Sequence, residues 1–145
     1  MRFRDLVAGA RFETAARRVT EAEIVEFARR YDPQPFHVDR EKAAASRWGG
    51  LISSGWMTCA IAMELAVEHV LAGSESIGSP GVDELRWERP VRPGDELRLT
   101  VTVLESRVSS AGTTGIVRWR WELHNQRGER VLGLTAASFF EVSPA

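Results

Sequence analysis

The sequence contains one cysteine and one lysine, and it has almost no net charge. The single Cys59 cannot close an intrachain disulfide or form a cysteine-type metal site, so we expect a reducing compartment and no bound metal. Because Lys42 is the only lysine, almost every cation is an arginine. The 19 Lys and Arg residues oppose 20 Asp and Glu residues, giving a net charge of -1. Without a basic surplus, binding to nucleic acid is not expected.

Long hydrophobic runs are also missing. The most apolar segment, residues 56–71, contains Glu64, Glu68 and His69, and it is too short and too charged to cross a bilayer. The first residues lack the apolar core of a secretory signal. We therefore expect a cytoplasmic protein without a membrane partner. Its 145 residues, 43% of them hydrophobic, predict that residues 1–145 form one domain with one core.

Local signals predict that helices occupy the first half of the chain, after one short strand at residues 11–19. Thr20 and Glu23 match a capping box and predict a helix start, and Pro33 ends that helix near Asp32. Asp39 is interpreted as the cap of a short helix over residues 39–45. Ser54 is interpreted as the cap of a long, apolar central helix over residues 55–71.

The second half of the chain changes to the period of a β-strand. Residues 97–103 and 117–123 alternate apolar and polar side chains, which predicts half-buried strands. Residues 82–88 and 131–142 add two more, and turn residues follow at 92–95 and 125–128. This order favours an α+β fold in which an antiparallel sheet wraps around the long central helix.

A carboxylate and an imidazole, Asp32 and His37, flank a segment with two prolines. Pro33 and Pro35 predict a stiff, extended segment from 32 to 37, and firmly placed acid and base groups are what general acid–base catalysis requires. The spacing alone fits a structural interpretation at least as well. In that interpretation Asp32 ends a helix and His37 fills a core position.

Gly55 stands where the central helix begins. The first N–H groups of a helix have no intrahelical acceptor, so a glycine there could bring an N–H close to a carbonyl oxygen as an oxyanion site. Equally, a glycine could simply let the helix start close to the sheet. Both interpretations remain open at this point.

The segment Tyr-Asp-Pro-Gln-Pro-Phe-His at 31–37, together with Gly55 and the Pro-Val-Arg-Pro-Gly-Asp turn at 90–95, resembles the MaoC-like dehydratases. These include the (R)-specific enoyl-CoA hydratases, and the resemblance covers most of the chain. It implies a single hot-dog domain that forms a homodimer or a dimer of dimers. It also implies that Asp32 and His37 are the catalytic pair and that the Gly55 amide holds a thioester carbonyl.

The activity implied by this resemblance is that of a hydro-lyase acting on a 2-enoyl-CoA or 3-hydroxyacyl-CoA thioester. No metal or redox cofactor is implied, because coenzyme A enters as part of the acyl thioester substrate. Four residues are expected to contact substrate: Gln34, Ser54, Trp56 and Arg89. Guanidinium groups suit phosphates, and the candidates for the phosphates of coenzyme A are Arg47, Arg86, Arg89 and Arg92.

The chain departs from the family pattern at three positions. Gln34 replaces the usual Asn, Ser54 stands where well-studied hydratases have His, and Met63 occupies a position where some carry an active-site serine. We therefore expect a different acyl preference, for a shorter, bulkier or branched group. Trp48 and Trp56 could shape the pocket, but an interpretation as core tryptophans without a functional role fits them better.

Two other function classes stay open because hot-dog domains also serve as thioesterases and as non-catalytic acyl-binding or partner subunits. A thioesterase usually needs a base on the central helix, and Glu64 is available there. Its like-charged neighbour Glu68, one helical turn away, equally suggests a solvated or interface patch.

Overall fold

The computed structural model describes residues 1–142, which form four α-helices and six β-strands. The helices are α1 (Glu21–Tyr31), α2 (Pro35–Val38), α3 (Arg40–Ala45) and α4 (Gly55–Ala66). The strands are β1 (Arg11–Glu13), β2 (Arg17–Arg18), β3 (Ser76–Trp87), β4 (Glu96–Val108), β5 (Thr114–His124) and β6 (Arg130–Glu141). A 3-10 turn (Phe3–Asp5), a π-helical turn (Val67–Leu71) and irregular segments complete the described chain. Helices therefore precede the long strands, as the sequence predicts.

The helix starts follow the predicted caps. Thr20 accepts a hydrogen bond from the Glu23 N–H, while the Glu23 side chain accepts one from the Thr20 N–H. Asp39 caps α3 through the Lys42 N–H, and Ser54 caps α4 through the Trp56 N–H. These side chains satisfy backbone donors that would otherwise lack partners.

The prediction of an extended segment from 32 to 37 is wrong in its second half. Pro35 opens the short helix α2, which places His37 on a helical turn. A proline at the first helical position loses no hydrogen bond, and its fixed φ is already suited to a helix. Pro35 therefore starts a helix here instead of prolonging the extended backbone.

The long strands form one antiparallel sheet in the order β1-β4-β5-β6-β3. The first predicted strand, residues 11–19, is split into β1 and β2, both of which pair with β4. The strand predicted from residue 82 begins at Ser76. The register shifts between β3 and β6 interrupt the alternation of apolar and polar side chains by which a strand is predicted from sequence.

The core lies between α4 and the inner face of the sheet. Ile61 and Leu65 of α4 are buried in one cluster with inward residues of the strands, including Leu99, Trp119 and Leu132. The helix continues past Ala66 as a π-helical turn over Val67–Leu71, so the predicted central helix is confirmed. Among residues 1–142, no helix is long and apolar enough to cross a membrane.

The cap of α1 offers a direct test of this local structure. We expect Thr20→Ala to lower the free energy of unfolding by about 1 kcal/mol, because the Glu23 N–H loses its acceptor. Urea unfolding followed by tryptophan fluorescence measures the change. Thr20→Ser keeps the hydroxyl and should behave like the original protein; equal losses in both variants would contradict the capping role.

Candidate active site

A cavity of about 380 Å³ opens where α2, the start of α4 and the end of β3 meet. Six of the seven predicted site residues line it: Asp32, Gln34, His37, Gly55, Trp56 and Arg89. The seventh, Ser54, is fully buried and contacts Asp32. The fold thus brings together residues from three separate segments of the chain.

Asp32 ends α1, and its carboxylate faces three side-chain groups. The Gln34 amide donates to Oδ1 at 2.8 Å, and the Ser54 hydroxyl donates to Oδ2 at 2.8 Å. The His37 Nε2 lies 3.2 Å from the same Oδ2. The backbone fixes this position, because the Asp32 N–H donates to the Ala28 carbonyl.

These contacts favour the ionised form of Asp32. Burial by itself raises the pKa of the carboxyl, but the hydrogen bonds from Gln34 and Ser54 and the nearby His37 lower it, and the net pKa is below its ordinary value. Hydrogen bonds to a carboxylate stabilise its charge. Asp32 is therefore ionised at neutral pH.

The side chain of His37 is almost fully buried, and both of its ring nitrogens meet oxygen atoms. Nδ1 lies 2.7 Å from the Ile52 carbonyl oxygen, which can only accept, so Nδ1 is a donor. Nε2 faces the Asp32 carboxylate. Both ring nitrogens of His37 thus contact fixed oxygen atoms, one on the Ile52 backbone and one on the Asp32 side chain.

Gly55 begins α4, and its N–H meets no acceptor among residues 1–142. On the Cα, the space for a side chain is already taken by the Trp87 ring, because an added Cβ would lie 2.5 Å from it. The Trp87 indole N–H also donates to the Gly55 carbonyl at 2.8 Å. The structure therefore combines both interpretations of Gly55: a close packing contact and an unpaired helix N–H.

Aromatic side chains form one wall of the cavity. Trp48, Trp56 and Trp87 all line it. The rings of Trp56 and Trp87 meet edge to face with centroids 5.1 Å apart. Trp56 is 61% exposed, so this part of the wall is open to solvent in the single chain.

The four arginines considered for phosphate binding lie in different environments. Arg89 lines the cavity and forms an ion pair with Glu129 at 2.9 Å. Arg92 donates to the Trp48 carbonyl, and Arg47 lies over the Trp48 ring. Arg86 lines a separate, charged hollow on the sheet. Of the four, Arg89 alone lines the cavity with Asp32.

Glu64, the base required by the thioesterase alternative, does not line this cavity. Its carboxylate pairs with Arg17 at 3.1 Å. It lines a different groove, beside α1. Gly55 and Glu64 are both on α4, but of the two only Gly55 lines the cavity.

Sequence reasoning missed three contacts at this site. The Ile52 carbonyl holds His37, the Ser54 hydroxyl reaches Asp32, and the Trp87 ring covers Gly55. A backbone carbonyl has no sequence signal, and the other two contacts join residues far apart in the chain. For the contact of Trp87 with Gly55, the only indication in the sequence is that Trp87 stands near the end of a predicted strand.

Comparison with known proteins relates this geometry to a family. The protein-family model described as the MaoC like domain matches residues 5–120 of this chain. The structure of a MaoC-like dehydratase from Rhodospirillum rubrum is 43% identical, has a TM-score of 0.89, and aligns over 98% of this chain and 97% of that chain. The unliganded R-hydratase PhaJ1 from Pseudomonas aeruginosa is 26% identical, with a TM-score of 0.75 over 99% of this chain and 90% of its own.

A relative without an assigned activity is also similar. The uncharacterized protein YdeM from Bacillus subtilis is 33% identical over 131 residues, which cover 90% of this chain and 92% of that protein. Together with the structural matches, this similarity extends over nearly the whole chain. The hot-dog fold expected from the sequence is confirmed by the superpositions.

The contact between Gly55 and Trp87 gives a testable prediction. We expect Gly55→Ala to lower the free energy of unfolding by about 1–3 kcal/mol, because the new methyl group overpacks against the indole ring. In a Trp87→Ala background the same change should cost nothing, since the space is then free. Urea unfolding of the four proteins measures this coupling, and equal costs in both backgrounds would rule out the clash.

Proposed function

This chain belongs to the MaoC-like domain family, and from that premise we propose that it is an enoyl-thioester hydratase or 3-hydroxyacyl-thioester dehydratase. The observation that carries the proposal is the contact between the ionised Asp32 and the Nε2 of His37, beside the unpaired N–H of Gly55. A base, an acid and an oxyanion donor then face one cavity. The similarity to an R-hydratase supports the same reaction class.

The reaction follows from these positions. A water bridging Asp32 and His37 on the cavity side gives its proton to the Asp32 carboxylate while its oxygen bonds to C3 of the enoyl group. C2 takes the proton from His37 Nε2. The Gly55 N–H stabilises the charge that develops on the thioester oxygen. The pair is restored when the proton passes from Asp32 to His37 across their 3.2 Å contact.

The substrate in this proposal is an acyl thioester carried by coenzyme A or a related carrier. Arg89, at the cavity and 60% exposed, is the candidate for a phosphate of the carrier, because guanidinium groups form forked hydrogen bonds to phosphate. Gln34 and Ser54 hold Asp32, whereas Trp56, which lines the cavity, would contact the acyl group or the pantetheine arm. No further cofactor takes part in the mechanism.

The central prediction concerns the acid–base pair. We expect Asp32→Asn and His37→Ala each to lower the hydration rate of crotonyl-CoA, or of the best enoyl-CoA in a chain-length series, at least about a hundredfold. The assay follows the loss of enoyl absorbance, and circular dichroism verifies folding. His124→Ala, on β5 outside the cavity, is the matched control. Near-native turnover by either site variant would contradict the mechanism.

Two alternatives are separated by the same substrates. Release of free thiol from crotonyl-CoA or acetyl-CoA without hydration would indicate a thioesterase. Binding without either reaction, across the substrate series, would indicate an acyl-binding or partner subunit. Glu64 forms an ion pair with Arg17 outside the cavity. Because the thioesterase would need Glu64 as its base, this position favours the hydratase.

A homodimer is the second part of the proposal. β3 pairs with β6 on one side, and nearly all of its residues are exposed, including Ile77, Val82 and Trp87. Trp56 packs against Trp87 at the end of β3 and is exposed, as are Met63 and Val67 further along α4 and its π-helical turn. A second copy would cover unpaired strand edge and apolar side chains together.

We expect light scattering at micromolar concentration to give a mass near twice the 16.2 kDa of one chain. Val82→Lys should shift the protein toward the single-chain mass, because it places a charge in the apolar contact. Val7→Lys changes a residue that is similarly exposed, at 58%, in the turn before β1, which lies at the other end of the strand order from β3, and should leave the mass unchanged. A single-chain mass for the unaltered protein would disprove the dimer.

A further inference from the structure

The hydroxyl of Ser54 lies between two parts of the site that belong to different segments. It donates to Asp32 Oδ2 at 2.8 Å and accepts from the Trp56 N–H at 3.3 Å. Ser54 is completely buried, so water does not compete for either bond. One oxygen atom therefore connects the end of α1 to the first turn of α4.

This connection has a geometric consequence for the neighbouring residue. Gly55, whose N–H is the proposed oxyanion donor, directly follows Ser54 and is the first residue of α4. A bond from Ser54 to Asp32 thus restrains the position of the carboxylate relative to that N–H. Reacting groups must be held within a fraction of an ångström for efficient catalysis.

We propose that Ser54 is a positioning residue, whose hydroxyl holds the Asp32 carboxylate in place relative to the start of α4 in addition to capping that helix. The inference rests on the proposed function, in which Asp32 is the base and Gly55 the oxyanion donor. Gln34 and Ser54 thereby hold the same carboxylate together, because Gln34 donates to Oδ1 of Asp32 and Ser54 donates to Oδ2.

Other charged groups near Asp32 leave this role to Ser54 and Gln34. His37 faces Oδ2 from α2. Glu88 and Arg89 line the same cavity after β3, but Glu88 pairs with Arg130 and Arg89 with Glu129. Removing the Ser54 hydroxyl therefore removes one of the two side-chain groups that contact Oδ2 and leaves His37 as the other.

Ser54→Ala tests the inference through the pH profile. Loss of this hydrogen bond raises the pKa of Asp32, so the acidic limb of the kcat/KM profile for enoyl-CoA hydration should move to higher pH. We expect kcat to fall about tenfold or more through misplacement of the base, with little change in KM. Ser54→Thr restores a hydroxyl and should restore both the limb and kcat.

Thr20→Ala is the matched control, because it removes a hydroxyl cap from α1 without touching Asp32. It should lower stability and leave the pH profile and kcat unchanged. If Ser54→Ala behaves like Thr20→Ala, Ser54 is only a helix cap and the inference is overturned. Should the extra methyl of threonine prevent folding, Ser54→Cys, with a weak thiol donor of similar size, should give a profile between serine and alanine.

A second measurement separates this inference from the proposed function. The carboxyl carbon of Asp32, identified by comparison with Asp32→Asn, can be titrated by ¹³C NMR without any substrate. A higher pKa of Asp32 in Ser54→Ala than in the unaltered protein supports the contact even if no enoyl-CoA is hydrated. An unchanged titration overturns the inference even if the protein proves to be a hydratase.

Discussion

Burial of α4 against the sheet is the constraint on which the rest of the structure depends. The helix is apolar on most of its surface, and its side chains form a single cluster with those of β4, β5 and β6. Removing such a helix from water is strongly favourable, and the packed core allows few alternative placements. The helix start, with Ser54 and Gly55, is therefore held at a defined place, and Asp32 and His37 lie beside it.

The electrostatic balance of the site depends on this placement. A carboxylate and an imidazole removed from water would each favour their neutral forms. Donors from Gln34 and Ser54 keep Asp32 ionised, and the Ile52 carbonyl together with Asp32 gives His37 two acceptors. Each of these polar groups meets a fixed partner, which suits the proposed reaction, in which His37 gives a proton to C2 and then regains one from Asp32.

The edge strand β3 connects the candidate site to the surface proposed for dimerisation. Trp87 ends β3, covers Gly55 and stacks edge to face on Trp56. Because the same aromatic side chains line the cavity and lie partly exposed, a second copy that covers β3 would also change the cavity wall. Assembly and substrate access are linked through these tryptophans in the proposed dimer.

Local interactions let the sequence predict much of the fold. The capping box at Thr20, the caps at Asp39 and Ser54, the apolar central helix and the alternating strands all depend on neighbours within a few residues, and these predictions are confirmed. The motif also placed Asp32, His37 and Gly55 in one proposed site, because their spacing resembles that of a known family. Their catalytic roles stay predictions.

The tertiary structure decided what local spacing does not determine. Pro35 starts a helix instead of extending the chain, and β3 is longer and more irregular than its sequence indicates. The contacts of Ser54 with Asp32, of His37 with Ile52, and of Trp87 with Gly55 join separate segments. Such contacts arise only when burial of the shared core brings those segments together, so no pattern within one segment encodes them.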